Sequence, residues 1–186
     1  MATGQLNIKV VDLGLPSGRL WADRNIGAKS PEDFGLYFSW GNTDGHALGT
    51  DYEFSSEAYK KTPGAKLDGN IDAEHDAATV NLGAPWRMPT REDFVELVDN
   101  CTFECCSLNG YRGMKLTSKI NGNSLFFACS GYGYGAGWGS VGSYGLYWSA
   151  SVDSAASARS LVFDSGRVNP QNNFDRFGGF AVRPVQ

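Results

Sequence analysis

From Ile120 to Val152 the chain contains no Asp, Glu, Lys or Arg. The same run holds eight glycines and eight aromatic residues, as in Gly131-Tyr132-Gly133-Tyr134-Gly135 and Gly137-Trp138. Glycine frees the backbone to turn, and aromatics supply the most burial per residue. Two readings fit such a run. One is a glycine-rich loop system whose aromatics plug a core; the other is an adaptable uncharged surface beside a binding site. The bias extends to the whole chain, where 24 Gly stand beside 11 Phe, 8 Tyr and 5 Trp in 186 residues. Few long helices, many turns and a core of large flat side chains are expected.

The length suits a single domain spanning residues 1–186. With 41% hydrophobic and 13% aromatic residues, burial can offset chain entropy, which excludes general disorder. No run of about 18 apolar residues is present to cross a membrane as a helix. Met1 to Val10 lacks the apolar stretch and small-residue cleavage site of a secretory signal. The net charge of −4 argues against a nucleic-acid binder that works by neutralising phosphates. Cys101, Cys105, Cys106 and Cys129 are not arranged as two separated metal-binding pairs, and His46 and His75 lie far upstream in polar stretches, where solvated side chains are expected. Free thiols are the simplest reading; a Cys101–Cys129 bridge stays open. No metal and no cofactor is expected. Asp72, Glu74 and Asp76 alternate but lack the further ligands and registered glycine of a calcium loop.

Local patterns set out an α+β order. Ile8–Leu13 and Leu20-Trp21-Ala22 read as a hairpin about Leu15-Pro16-Ser17-Gly18. Ser30-Pro31-Glu32-Asp33 reads as a helix start that turns Phe34, Tyr37 and Phe38 inward as far as Trp40-Gly41. Residues 42–70 form a polar excursion, and Asp72–Asn81 a short helix packing through Ala77, Ala78 and Val80. Thr90 caps the clearest helix, with Asp93 completing a capping box and Phe94, Leu97, Val98 and Cys101 on one face. From Tyr111 the pattern is β: Met114, Leu116 and Ser118 alternate, Asn121-Gly122-Asn123 turns, and Leu125–Cys129 is a buried strand. Further strands are expected at Tyr147–Ser149, Ser160–Asp164, Arg167–Asn169 and Phe180–Val185.

Three stretches carry a resemblance. They are Val11-Asp12-Leu13-Gly14-Leu15-Pro16-Ser17-Gly18-Arg19-Leu20-Trp21-Ala22 with Asn25-Ile26-Gly27-Ala28; Trp86-Arg87-Met88-Pro89-Thr90; and Tyr147-Trp148-Ser149-Ala150-Ser151 with Gly179-Phe180-Ala181-Val182-Arg183-Pro184-Val185. Together they resemble gut-Bacteroidetes domains of C-type lectin-like fold, close to the formylglycine-generating-enzyme superfamily. The similarity is greatest to the variable proteins of diversity-generating retroelements, found in such bacteria and their phages. The resemblance implies two main helices flanking small antiparallel sheets, long loops and paired N- and C-terminal strands. It also implies a diversified C-terminal surface over about residues 146–183, and a setting on a phage virion or a bacterial cell surface.

The residues expected to contact a target are Leu146, Val152, Asp153, Ala155, Ala156, Ser160, Val162, Asp164, Arg167, Phe174, Asp175 and Phe177. Period-two alternation places Leu161 and Phe163 inward, and Ser160, Val162 and Asp164 on the outer face. The run Asn169-Pro170-Gln171-Asn172-Asn173 suits unmutated template positions. Trp148, Leu161, Phe163, Phe180 and Val182 would hold the scaffold, and Arg159, Arg176 and Arg183 would tie loops to backbone carbonyls. The expected partner is a macromolecular target, protein or glycan, with no nucleic acid, no membrane insertion and room for an oligomer. No cysteine follows Trp148 to match the catalytic thiols of the formylglycine-generating relatives, and no nucleophile-elbow motif occurs. The resemblance implies a binding protein and not an enzyme. The first alternative is a fixed adhesin or structural module of the same fold on the cell surface, and the last an enzyme of the formylglycine-generating type.

Overall fold

The computed structural model describes residues 8–60 and 69–186. They form a mixed α+β structure, mostly strands with few short helices. The opening hairpin pairs β1 (Val10–Asp12) with β2 (Leu20–Ala22). The helix expected after Ser30 is a turn instead. Asp33 accepts hydrogen bonds from the Lys29 and Gly35 amides (2.9 and 3.3 Å), and Gly35 takes a φ of +71° that a helix cannot continue through. Leu36–Phe38 then runs on as β3, paired with β4 (His46–Ala47).

The excursion after Asn42 is partly structured. It holds β4, a buried Phe54 and the one-turn helix α1 (Ser56–Lys60); residues 61–68 lie outside the described residues. Helix α2 (Ala77–Leu82) starts later than expected, because Asp76 caps it by accepting from Ala78 N (2.8 Å) and Thr79 N (2.9 Å). Ala77 and Ala78 are buried as expected, but Val80 faces outward. Helix α3 (Arg91–Asn100) carries the capping box read from the sequence, with Thr90 and Asp93 each accepting the other's backbone N–H. Its Phe94 and Leu97 are buried.

Cys101 does not extend that helix. It begins β5 (Cys101–Leu108), which pairs with β6 (Tyr111–Ser118) and, through it, with β7 (Ser124–Ala128). The tight β5–β6 turn is Asn109-Gly110, both at positive φ. A small ribbon follows, β8 (Tyr132–Tyr134) with β9 (Gly137–Gly139). Then come β10 (Gly145–Val152), β11 (Ser157–Phe163), β12 (Val168–Asp175) and β13 (Phe180–Ala181).

The central sheet runs β12-β11-β10-β13-β3-β4, with β10 and β13 parallel. Both its faces are covered. Tyr147, Leu161 and Phe163 join Trp21, Phe94, Leu97 and Phe127 on one side. Leu146, Trp148, Ala150, Val162 and Phe180 join Ile26, Trp40, Ala77 and Met88 on the other. The C-terminal segment bridges β2 rather than β1: Leu20 N donates to the Gln186 carbonyl (3.0 Å) and Ala22 N to the Pro184 carbonyl (2.9 Å). Arg183, fully buried, donates to the carbonyls of Ala22, Asp23 and Phe126 and to Asn25 Oδ1, and lies 4.4 Å over the Phe127 ring. It ties the chain's end to its start.

Candidate binding surface

Burial divides the twelve expected contact residues. Leu146, Ser160 and Val162 are buried in the sheet, at 5, 0 and 8% exposure, so they cannot meet a target in this fold. Alternation identifies two faces of a strand but not which one sees water, and from Ser160 to Phe163 neither does. Of the presumed outer face of β11, Asp164 alone is partly accessible.

The remaining residues fall at opposite ends of β11. Asp153, Ala155 and Ala156 lie in the β10–β11 loop next to Val152, and pair-wise register puts Asp175 across from Ser157. Phe174, Asp175 and Phe177 therefore share their end. Asp164 and Arg167 lie in the β11–β12 turn, about 20 Å away for a seven-residue strand.

The first end is built on a file of aromatic rings. Trp148 stacks on Phe180 (4.2 Å between centroids), Phe180 meets Phe174 (5.0 Å), Phe174 meets Tyr134 (5.9 Å) and Tyr134 meets Phe177 (5.1 Å). Burial falls along the file, from Trp148 and Phe180 at 0% exposure to Tyr134 at 46%. The outer rings are fixed by backbone pairing. Gly133 and Gly179 exchange both N–H···O bonds (2.8 and 2.9 Å), and Phe54 packs flat against them. A Cβ at Gly179 would lie 2.5 Å from the Phe54 ring, so only glycine permits this approach.

Beside the rings lies a polar network. Asp153 accepts from Ser157 Oγ (2.6 Å) and Asn173 Nδ2 (2.9 Å) and pairs with Arg159 (2.6 Å). These contacts, the Ser157 hydroxyl foremost, hold its carboxyl below the usual carboxylate range. Arg176, 3% exposed, donates to the Ser154 and Ser157 carbonyls and sits 4.6 Å over Trp40. It thus clamps the β10–β11 loop, as its expected framework role requires. Arg159 instead bonds the Gln171 carbonyl (3.1 Å) and Asp153 on a half-exposed surface.

The other end is looser. Arg167, exposed, faces Asp164 at 3.6 Å. A cavity of about 230 Å³ there is lined by Cys105, Cys106, Cys129, Arg112 and Asp164. All four cysteines are free, so the Cys101–Cys129 bridge is absent. Burial pushes the Cys101 and Cys129 thiols up to about 11, which keeps both protonated at neutral pH.

The histidines differ from expectation. His46 is half-buried rather than solvated: its ring stacks on Tyr52 (3.5 Å), burial lowers its pKa, and its Nε2 is buried without a partner. His75 bonds Asp72 (2.6 Å). Asp76 serves as the α2 cap and also accepts from Met88 N (2.9 Å). Among the described residues, no group of three or more His, Cys, Asp or Glu is placed to hold a metal ion.

Comparison of the chain with protein-family models, curated proteins and solved structures finds no match. Two contributors were missing from the contact list. Tyr134 was visible in the glycine–tyrosine alternation, where a tyrosine between glycines has few neighbours to cover it. Asn173 lies in a polar run whose exposure only the β12 edge position reveals.

Proposed function

We propose that this protein is a binding module of C-type lectin-like architecture whose target docks on the end of the molecule formed by Tyr134, Phe174, Phe177, Asp175 and the Asp153–Ala156 loop. The observation that carries the reading is the aromatic file, which runs unbroken from the core to an exposed tyrosine. Hot spots of protein surfaces favour large aromatics held rigid by their neighbours, because little side-chain entropy is lost on contact.

Diversification by a retroelement is part of the proposal for the positions at that end of β11 only: the exposed Ala155 and Ala156 and the partly buried Val152, Asp153, Phe174, Asp175 and Phe177. The burial of Leu146, Ser160 and Val162 favours a second reading, a fixed adhesin of the same fold, since random replacement there would disturb packing by about 1–5 kcal/mol. An imperfect repeat of the 3′ coding sequence beside a reverse transcriptase gene, differing only at template adenines, supports diversification; its absence leaves the adhesin.

The docking surface itself is tested on arrays of immobilised bacterial surface glycans and outer-membrane proteins. A spot that retains the wild-type protein should lose Tyr134→Ser and Phe177→Ser and keep Arg167→Ala. Retention of both aromatic variants overturns the reading.

A further inference from the structure

The aromatic ledge carries a carboxylate without a cationic partner. Asp175 makes no ion pair among the described residues, whereas Asp153 beside it is paired with Arg159. The neighbouring Arg176 is turned inward and committed to the Ser154 and Ser157 carbonyls. The Tyr134 hydroxyl reaches Asp175 Oδ2 only at 3.5 Å, which leaves most of the carboxylate's accepting capacity open. Around it stand the half-exposed rings of Tyr134, Phe174 and Phe177.

Elsewhere the same fold lays a guanidinium over an aromatic ring, with backbone carbonyls as its main acceptors. Arg176 lies 4.6 Å over Trp40, and Arg183 lies 4.4 Å over Phe127. A planar guanidinium stacks on a ring face and donates in a fork that fits a carboxylate, which an ammonium or a sugar hydroxyl does not match. Resting on the docking surface proposed above, we propose that this ledge takes an arginine side chain of a protein target, stacked on one face of the tilted Tyr134–Phe177 pair, packed against the other ring and hydrogen-bonded to Asp175. The overall charge of −4 favours a cationic partner in the same direction.

The test is a titration of the whole chain with the peptide acetyl-Gly-Arg-Gly-amide, followed by backbone and side-chain NMR shifts. The comparison peptides carry lysine or citrulline in place of arginine. Citrulline keeps the shape of arginine and removes its charge. Arginine should bind in the millimolar range expected of one side chain, shifting Tyr134, Asp175 and Phe177 together. Binding should weaken about five-fold or more with citrulline, with Asp175→Asn and with Phe177→Leu, which keeps apolar volume but removes the ring. It should also fade as salt rises from about 0.05 to about 0.5 M. Equal binding of the citrulline peptide, or full binding by Asp175→Asn, overturns the proposal. So does a glycan or neutral protein on the arrays that needs Tyr134 and Phe177 but is not displaced by the arginine peptide; the docking surface then stands and the arginine site falls. Loss of the surface itself shows differently, as array binding indifferent to Tyr134 and Phe177.

Discussion

The two ends of β11 were one surface in the sequence and are two different places in the fold. At the Phe174 end, rings meet tilted or edge-on in file, Arg176 clamps the loop through two carbonyls, and Asp153 gathers three partners. At the Arg167 end, one exposed ion pair at 3.6 Å stands beside a cavity lined by thiols. The difference is in what holds the accessible side chains, and the proposed docking surface rests on it. An aromatic presented on a rigid base loses little freedom when a target arrives, whereas a solvated arginine must be ordered at that moment.

Removing the clamp should have the largest effect. Arg176→Ala leaves the Ser154 carbonyl without its donor, takes one of three donors from the Ser157 carbonyl, which keeps the Asp153 and Ser154 amides, and leaves Trp40 without its cation. A stability loss of about 3 kcal/mol in chemical denaturation is expected, with faster amide exchange across Asp153–Ser157. A loss below about 1 kcal/mol would mean that the loop is held by something else. Next comes the glycine contact. Gly179→Ala drives a Cβ into the Phe54 ring and should cost about 1–3 kcal/mol while moving the Tyr134 resonances; unchanged Tyr134 shifts would separate the ribbon from the ledge.

Asp153 gives a smaller, pH-dependent effect. Its folded carboxyl titrates below the unfolded value of about 3.9, so its contribution is complete above that value and is lost as pH falls through the lowered folded one. Thermal melts from pH 6 downward should therefore show a shallower decline in Asp153→Asn than in the wild type, confined to the range below about pH 4. An equally steep decline would assign that slope to other carboxylates. At the opposite end, Arg167→Ala should change stability by no more than about 0.5 kcal/mol, since an exposed pair at that distance contributes little. A larger change would erase the contrast between the ends.

Much of the fold was legible where local chemistry decides it. Thr90 and Asp93 announced α3, and Leu15–Gly18 announced the first turn. Ser30-Pro31 misled because a good helix start was weighed without Gly35, whose positive φ ends any helix there. The β5 strand was missed although Asn109-Gly110 is a strong hairpin signal; its residues alternate weakly because it is an edge strand with little burial. The proposed site was legible in part. Phe174 and Phe177 stood out as aromatics in a polar context, and Arg176 and Arg183 as loop ties. Ser160 and Val162 were misplaced because no pattern on one strand reports a second layer packed over its other face. That layer comes from Ile26, Trp40 and Met88, far away in sequence.

The most direct test of the account is the affinity of one array-selected glycan or protein for three variants: Tyr134→Ser, Phe177→Ser and Arg167→Ala. The account predicts losses of about ten-fold or more for the two ledge variants and less than about two-fold for Arg167→Ala. Equal losses at both ends, or a loss confined to Arg167→Ala, would contradict it.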